Sequence, residues 1–123
     1  MAKKVLIAED HEDTREMMCV LLSLQGYEVI QAKNGEEAIQ IAALKSPDLI
    51  LMDINMPVKD GFEATSELKT KEDTQHIPII ALSAHLSNGD WRVRIKEAGA
   101  DECMDKPIDI QILKQTIRQY IHD

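Results

Sequence analysis

Leu49-Ile50-Leu51-Met52-Asp53 is four apolar residues in unbroken succession, closed by an acid. A strand with one face in water alternates apolar and polar residues, and this run does not. Both of its faces must be covered, which is the habit of a parallel strand with helices above and below. The same form recurs on either side. Val5-Leu6-Ile7-Ala8 runs into Glu9-Asp10, and Ile77-Pro-Ile-Ile-Ala-Leu82 runs into Ser83. Tyr27-Glu-Val-Ile-Gln-Ala32 alternates Val29 with polar neighbours, as an edge strand would, and Glu102-Cys-Met104 is a weaker fifth run.

Helical patterns fill the intervals. Residues 12 to 25 carry Met17, Leu21 and Leu24 at helical spacing, the expected core face, and Gly26 follows as a stop. Asn34-Gly35-Glu-Glu-Ala-Ile39 opens a second helix with a capping residue and first-turn acids, ending before Pro47. Residues 61 to 70 form a shorter third helix with a polar, exposed tail at 70 to 76. Ser87 or Asn88 caps a fourth, which carries Trp91, Ile95 and Ala98 and closes at Gly99. The last shows Ile110, Leu113, Ile117 and Tyr120 or Ile121 at spacings of three and four. The order is (βα)₅, an α/β class with right-handed crossovers and an open, doubly wound sheet. Five units are too few for a closed eight-fold barrel. In open sheets of this kind ligands bind outside the carboxyl ends of the strands.

The 123 residues support one domain, 1–123, because two cores would each be too small. With 44% hydrophobic and 29% charged residues the composition is that of an ordinary soluble globule. Fourteen basic residues against 22 acidic ones leave a charge of −8, which argues against a nucleic-acid surface. Apolar runs of about five residues fall far short of the ~20 that cross a membrane, and the N-terminal run meets acids too early for a signal peptide. Cys19 and Cys103 lie far apart without CxxC spacing, as two free thiols in a reducing cytoplasm do.

At the strand ends stand Glu9-Asp10, Asp53, Ser83 and Asp105-Lys106-Pro107. A lone acid at a strand end is ordinarily a helix cap or a solvated loop residue. Three carboxylates, a hydroxyl and a lysine on one edge are not explained that way. Clustered carboxylates repel one another, and an oxygen-only donor set favours a hard, partly hydrated divalent ion such as Mg²⁺. The constellation is what phosphoryl transfer to a carboxylate requires. Asp53 serves as nucleophile, and Asp10, with Glu9 at one remove, holds the metal. Lys106 supplies a point charge and Ser83 a hydrogen bond. An ionised carboxylate needs no general base.

This set resembles the receiver domain of bacterial two-component response regulators, of the single-domain chemotaxis-regulator type. The likeness extends over essentially the whole chain and includes Asp53-Ile-Asn-Met-Pro57, Asp60-Gly61, Ala32-Lys-Asn-Gly35 and Gly99-Ala-Asp101. Each motif is weak alone; all of them in order are specific. The resemblance implies a flavodoxin-like, five-stranded parallel sheet in the order 2-1-3-4-5. It implies a phosphoryl group passed to Asp53 from a sensor histidine kinase or histidine phosphotransfer protein, as in a phosphorelay. It implies Mg²⁺ (or Mn²⁺) on the side chains of Asp10 and Asp53 and the backbone carbonyl of Asn55, with Glu9 acting through water. It implies a cis bond between Lys106 and Pro107, and a switch in which Ser83, Ala84 and His85 move with the loop after the fourth strand. The face of the fourth helix, fifth strand and fifth helix then changes its preference for a downstream protein. The chain is expected to be cytoplasmic, a monomer or weak dimer, and a switch with weak self-catalysed phosphorylation and dephosphorylation, not a classical enzyme.

Three departures from the family pattern stand out. Cys103 occupies the place of a switch aromatic, and a small buried thiol filling the slot is expected there over a redox sensor. Glu9-Asp10 replaces the commoner Asp-Asp, and Ser83 the commoner Thr. Asn55 and His85 flank the expected phosphoryl position, where they either tune attack by water or are merely solvated.

Other residues read blandly. His11 begins the first helix, while His76 and His122 have no ligand-spaced partners. Arg92, Arg94 and Lys96 form a solvated helix face or a protein-docking face; Met17, Met18, Met52 and Met56 fill core. No P-loop, GxGxxG, HExxH or GxSxG pattern occurs. The alternative class is a receiver-like interaction module that works without phosphorylation, against which the intact acids and lysine count. An aspartate-nucleophile phosphohydrolase would need a second acid where Asn55 stands. The last helix reaches Asp123, so a stand-alone receiver without an output domain is expected.

Overall fold

The computed structural model describes residues 2–84 and 90–121. Strands β1 (Lys4–Ala8), β2 (Glu28–Ala32), β3 (Leu49–Asp53), β4 (Ile79–Ser83) and β5 (Glu102–Asp105) alternate with helices α1 (Glu12–Leu24), α2 (Gly35–Lys45), α3 (Gly61–Thr70), α4 (Asp90–Ala98) and α5 (Ile110–Tyr120). The sheet order is β2-β1-β3-β4-β5, every pairing parallel. The expected doubly wound sheet is therefore present, with the alternating second run at one edge.

Side chains of a strand point alternately to its two faces. Leu6, Ala8, Ile50, Met52, Ile79 and Ala81 pack with Ala38, Ala42, Ala64, Leu68, Trp91 and Ile95 from α2, α3 and α4. Val5, Ile7, Leu49, Leu51, Ile80 and Leu82 pack with Met18, Leu22, Leu113 and Ile117 from α1 and α5. Both faces of β3 are covered, which is why its sequence shows no alternation. The helices start where side chains satisfy free amides: Asn34 Oδ1 accepts from Glu37 N–H (2.8 Å), Asp60 Oδ1 from Glu63 N–H (2.9 Å) and Asp109 Oδ1 from Gln111 N–H (2.9 Å).

The core face of α1 is not the expected one. Met17 is 57% and Leu24 76% exposed, and the buried residues are Arg15, Met18 and Leu22. Two apolar stripes run side by side on this helix, and the one that contains an arginine turns inward. The tail after α3 is exposed except at Thr74, whose hydroxyl donates to Leu68 O (2.7 Å). The cap assigned to Ser87 or Asn88 lies outside the described residues, as do His85 and His122.

At the amino ends of the strands, one ammonium joins three segments. Lys69 Nζ donates to Ile77 O (2.7 Å) and to Asp101 Oδ2 (2.9 Å), and that carboxylate oxygen also accepts Ile79 N–H (2.9 Å). Among the described residues, no helix is long and apolar enough to cross a membrane.

Candidate functional site

Register brings the acids together. Ala8 pairs with Met52, so the following residues, Glu9 and Asp53, come out side by side at the carboxyl edge. Glu9 N–H continues the sheet by donating to Ala32 O (3.0 Å), and Ile54 N–H does so toward Leu82 O (2.9 Å). On the other side Ser83 pairs with Asp105, and Lys106 N–H donates to Ser83 O (2.8 Å). The Lys106–Pro107 bond is cis, as the resemblance implies.

Gly61 closes the loop beneath this edge. Its N–H donates to Ile54 O (2.9 Å), and a Cβ there would lie 2.5 Å from Asp53 O and 2.7 Å from Ile54 Cα. Only glycine lets α3 start so close to the end of β3.

Glu9 and Asp53 are 2% and 3% exposed, yet their carboxylates share one open cavity with Asp10, His11, Thr14, Asn55, Ala84 and Lys106. Lys106 Nζ donates to Glu9 Oε1 (2.6 Å) and lies 3.1 Å from Asp53 Oδ1. The second Glu9 oxygen accepts His11 N–H (3.1 Å). Oxygens of Glu9, Asp10 and Asp53 all lie within 4.8 Å of one another.

Burial, then the charge of Glu9, pushes Asp53 up to about 6 against the pull of Lys106. Burial also works against the charged form of Glu9, but Lys106 and the His11 amide outweigh it and hold Glu9 below the ordinary carboxylate range. Lys106 is held above its ordinary value, because Glu9 and Asp53 together outweigh its desolvation. Three carboxylates against one ammonium leave an excess of negative charge on oxygen donors alone. That donor set fits a hard divalent cation that keeps part of its water.

Of the residues singled out in the sequence, Glu9, Asp10, Asp53, Asn55, Ala84 and Lys106 line one cavity. Ser83 is buried at the end of β4 beside them, and Pro107 follows Lys106. Cys103 stands apart on β5. It is half-buried, not buried, packs against the α2–α3–α4 side of the core, and accepts Arg92 Nη1–H at Sγ (3.4 Å). Arg92 also bridges to Asp105 Oδ2 (2.5 Å). Arg92, Arg94 and Lys96 are exposed on α4, with Arg94 stacked 3.8 Å from the Phe62 ring centroid.

Sequence reasoning missed Arg15, which is 7% exposed and donates through Nη1 to the Glu9 backbone carbonyl (2.9 Å). Its signal is the i, i+3, i+7 spacing of Arg15, Met18 and Leu22, a stripe that begins with a charge.

Comparison with known proteins bears on this arrangement. Residues 5–118 match the response regulator receiver domain family. The polar-differentiation response regulator DivK of Brucella anthropi is 40% identical over 123 residues, 100% of this chain and 99% of that protein. The Vibrio cholerae chemotaxis protein CheY4 superposes with a TM-score of 0.91 at 30% identity, covering 98% of this chain and 100% of that one. The receiver domain of a Pseudomonas aeruginosa sensor histidine kinase has a TM-score of 0.90 at 31% identity, covering 98% of each chain. That structure is described with a magnesium ion coordinated in its active-site cleft.

Proposed function

The chain belongs to the response regulator receiver domain family of two-component signalling, and from that premise we propose that Asp53 accepts a phosphoryl group from a sensor histidine kinase or histidine phosphotransfer protein. One observation carries the reading: a buried carboxylate, Asp53, opens onto a cavity shared with two further acids and a lysine.

An Asp53 carboxylate oxygen attacks phosphorus as the donor's P–N bond breaks and the histidine nitrogen keeps the electron pair; an acyl phosphate remains on Asp53. With Asp53 at about 6, most of it is ionised at neutral pH and ready to attack. Lys106, already 3.1 Å from Asp53, pairs with a phosphoryl oxygen, and the Ser83 hydroxyl donates to another. Asp10, Asp53 and the Asn55 backbone carbonyl would hold Mg²⁺ or Mn²⁺, with Glu9 reaching it through water. Such an ion neutralises charge on the phosphoryl oxygens and lines up the transfer. Ser83 and Ala84 then carry the change along the loop after β4 to the α4-β5-α5 face, which presents itself to a downstream protein. In this reading the protein is a single-domain cytoplasmic switch, not a classical enzyme.

The test is incubation with a small acyl-phosphate donor and Mg²⁺, followed by intact-mass measurement. A gain of one phosphoryl group that Asp53→Asn abolishes is expected. No gain with that donor or with any kinase would overturn the reading and leave an interaction module.

A further inference from the structure

We propose that Arg15 is a positioning residue for the acidic pocket, fixing the directions of Glu9 and Asp10 through the backbone carbonyl of Glu9. The inference rests on the reading that this pocket takes a divalent cation.

Arg15 is buried on the inner face of α1, and among the described residues no carboxylate lies within ion-pair distance of it. Burying a guanidinium without a counter-ion costs free energy that its hydrogen bonds must offset, so the groups that accept them are tightly held. Its two bonds reach two different strands. Nη1–H donates to Glu9 O (2.9 Å), just past β1, and Nε–H donates to Gln31 Oε1 (3.0 Å) on β2. Glu9 is thereby held from both sides, since its own N–H donates to Ala32 O (3.0 Å). The Arg15 bond orients the Glu9–Asp10 peptide and the Ala32 bond the Ala8–Glu9 peptide, so the backbone on both sides of the Glu9 Cα is set where Glu9 and Asp10 line the cavity.

The influence is geometric. Arg15 meets the backbone carbonyl of Glu9 and not its carboxylate. A forked donor is therefore required, and the point charge of lysine cannot span both acceptors. Partners of metal ligands that act at one remove typically change affinity by about ten- to a hundred-fold when removed.

The experiment is a Mg²⁺ titration followed by amide chemical shifts around Asp53, on the parent, Arg15→Lys, Arg15→Met and Gln31→Leu, with urea unfolding of each. Arg15→Met is expected to weaken Mg²⁺ binding about tenfold. Arg15→Lys should weaken it by several-fold despite its kept charge, and Gln31→Leu by less than twofold. If Arg15→Met does not fold, the lysine variant decides. An arginine that only braces α1 would lower the unfolding midpoint and leave Mg²⁺ affinity of both Arg15 variants within twofold of the parent, which overturns the inference. A parent that binds no Mg²⁺ overturns the pocket reading, and the role of Arg15 falls with it.

Discussion

The ammonium of Lys106 sits closer to Glu9, at 2.6 Å, than to Asp53, at 3.1 Å. The lysine is anchored by Glu9, not by the proposed phosphoryl acceptor, so it is expected to stay at the pocket when the charge on Asp53 changes. Replacing it leaves two buried carboxylates facing each other. Lys106→Met is expected to destabilise the protein by on the order of 2 kcal/mol at neutral pH, read by urea unfolding. Adding Glu9→Gln should restore part of that loss, because it removes one of the repelling charges. Equal losses in the single and double variants would contradict this account.

Asp53 at about 6, against 3.8 when unfolded, makes the metal-free protein pH-sensitive. The folded state holds this proton more tightly, so its contribution is full below 3.8 and is lost as pH rises through 6. Asp53→Asn should therefore be more stable than the parent at pH 7.5 without divalent ions, by on the order of 2 kcal/mol. The gap should close below pH 4, and Mg²⁺ should raise the parent's melting temperature and leave the variant's almost unmoved.

Gly61→Ala places a Cβ against the backbone of Asp53 and Ile54, neither of which is the free end of a side chain. A loss of roughly 1–3 kcal/mol is expected, with slower phosphorylation because the end of β3 must shift. An alanine variant with unchanged unfolding and phosphorylation would show that the loop has room.

Tyr120 ties α5 to β5: its hydroxyl donates to Glu102 Oε2 (2.8 Å) and lies 3.3 Å from Asp101 O. Burial and the Glu102 carboxylate push the phenol up to about 12. The neutral form is favoured by folding, so this contribution is present below pH 10 and disappears as pH rises through 12. An alkaline absorbance titration should show a late phenolate phase that Tyr120→Phe removes.

Much of the fold could be read from β3 alone, because four apolar residues without alternation require cover on both faces. The acids were legible through topology: residues 97 apart in sequence, Glu9 and Lys106, meet only because parallel strands end at one edge. The inner face of α1 was not, because Met17-Leu21-Leu24 and Arg15-Met18-Leu22 have equal periodicity. Only packing against the sheet chooses between them, and it chose the stripe with the charge. Cys103 was expected to be buried, but it is only half-buried and meets the exposed Arg92 of the neighbouring helix, a long-range contact that no local pattern encodes.

The Lys69 junction has a mechanical consequence. It pins the end of α3, the start of β4 and the turn leading into β5, and the Cα of Gly99 faces it so closely that a Cβ would come within 2.8 Å of the Lys69 side chain. The sheet is thus riveted at the pole away from the pocket. Helix α4 ends at Ala98, one residue before Gly99, so its carboxyl end is tethered to the same rivet that joins α3, β4 and β5.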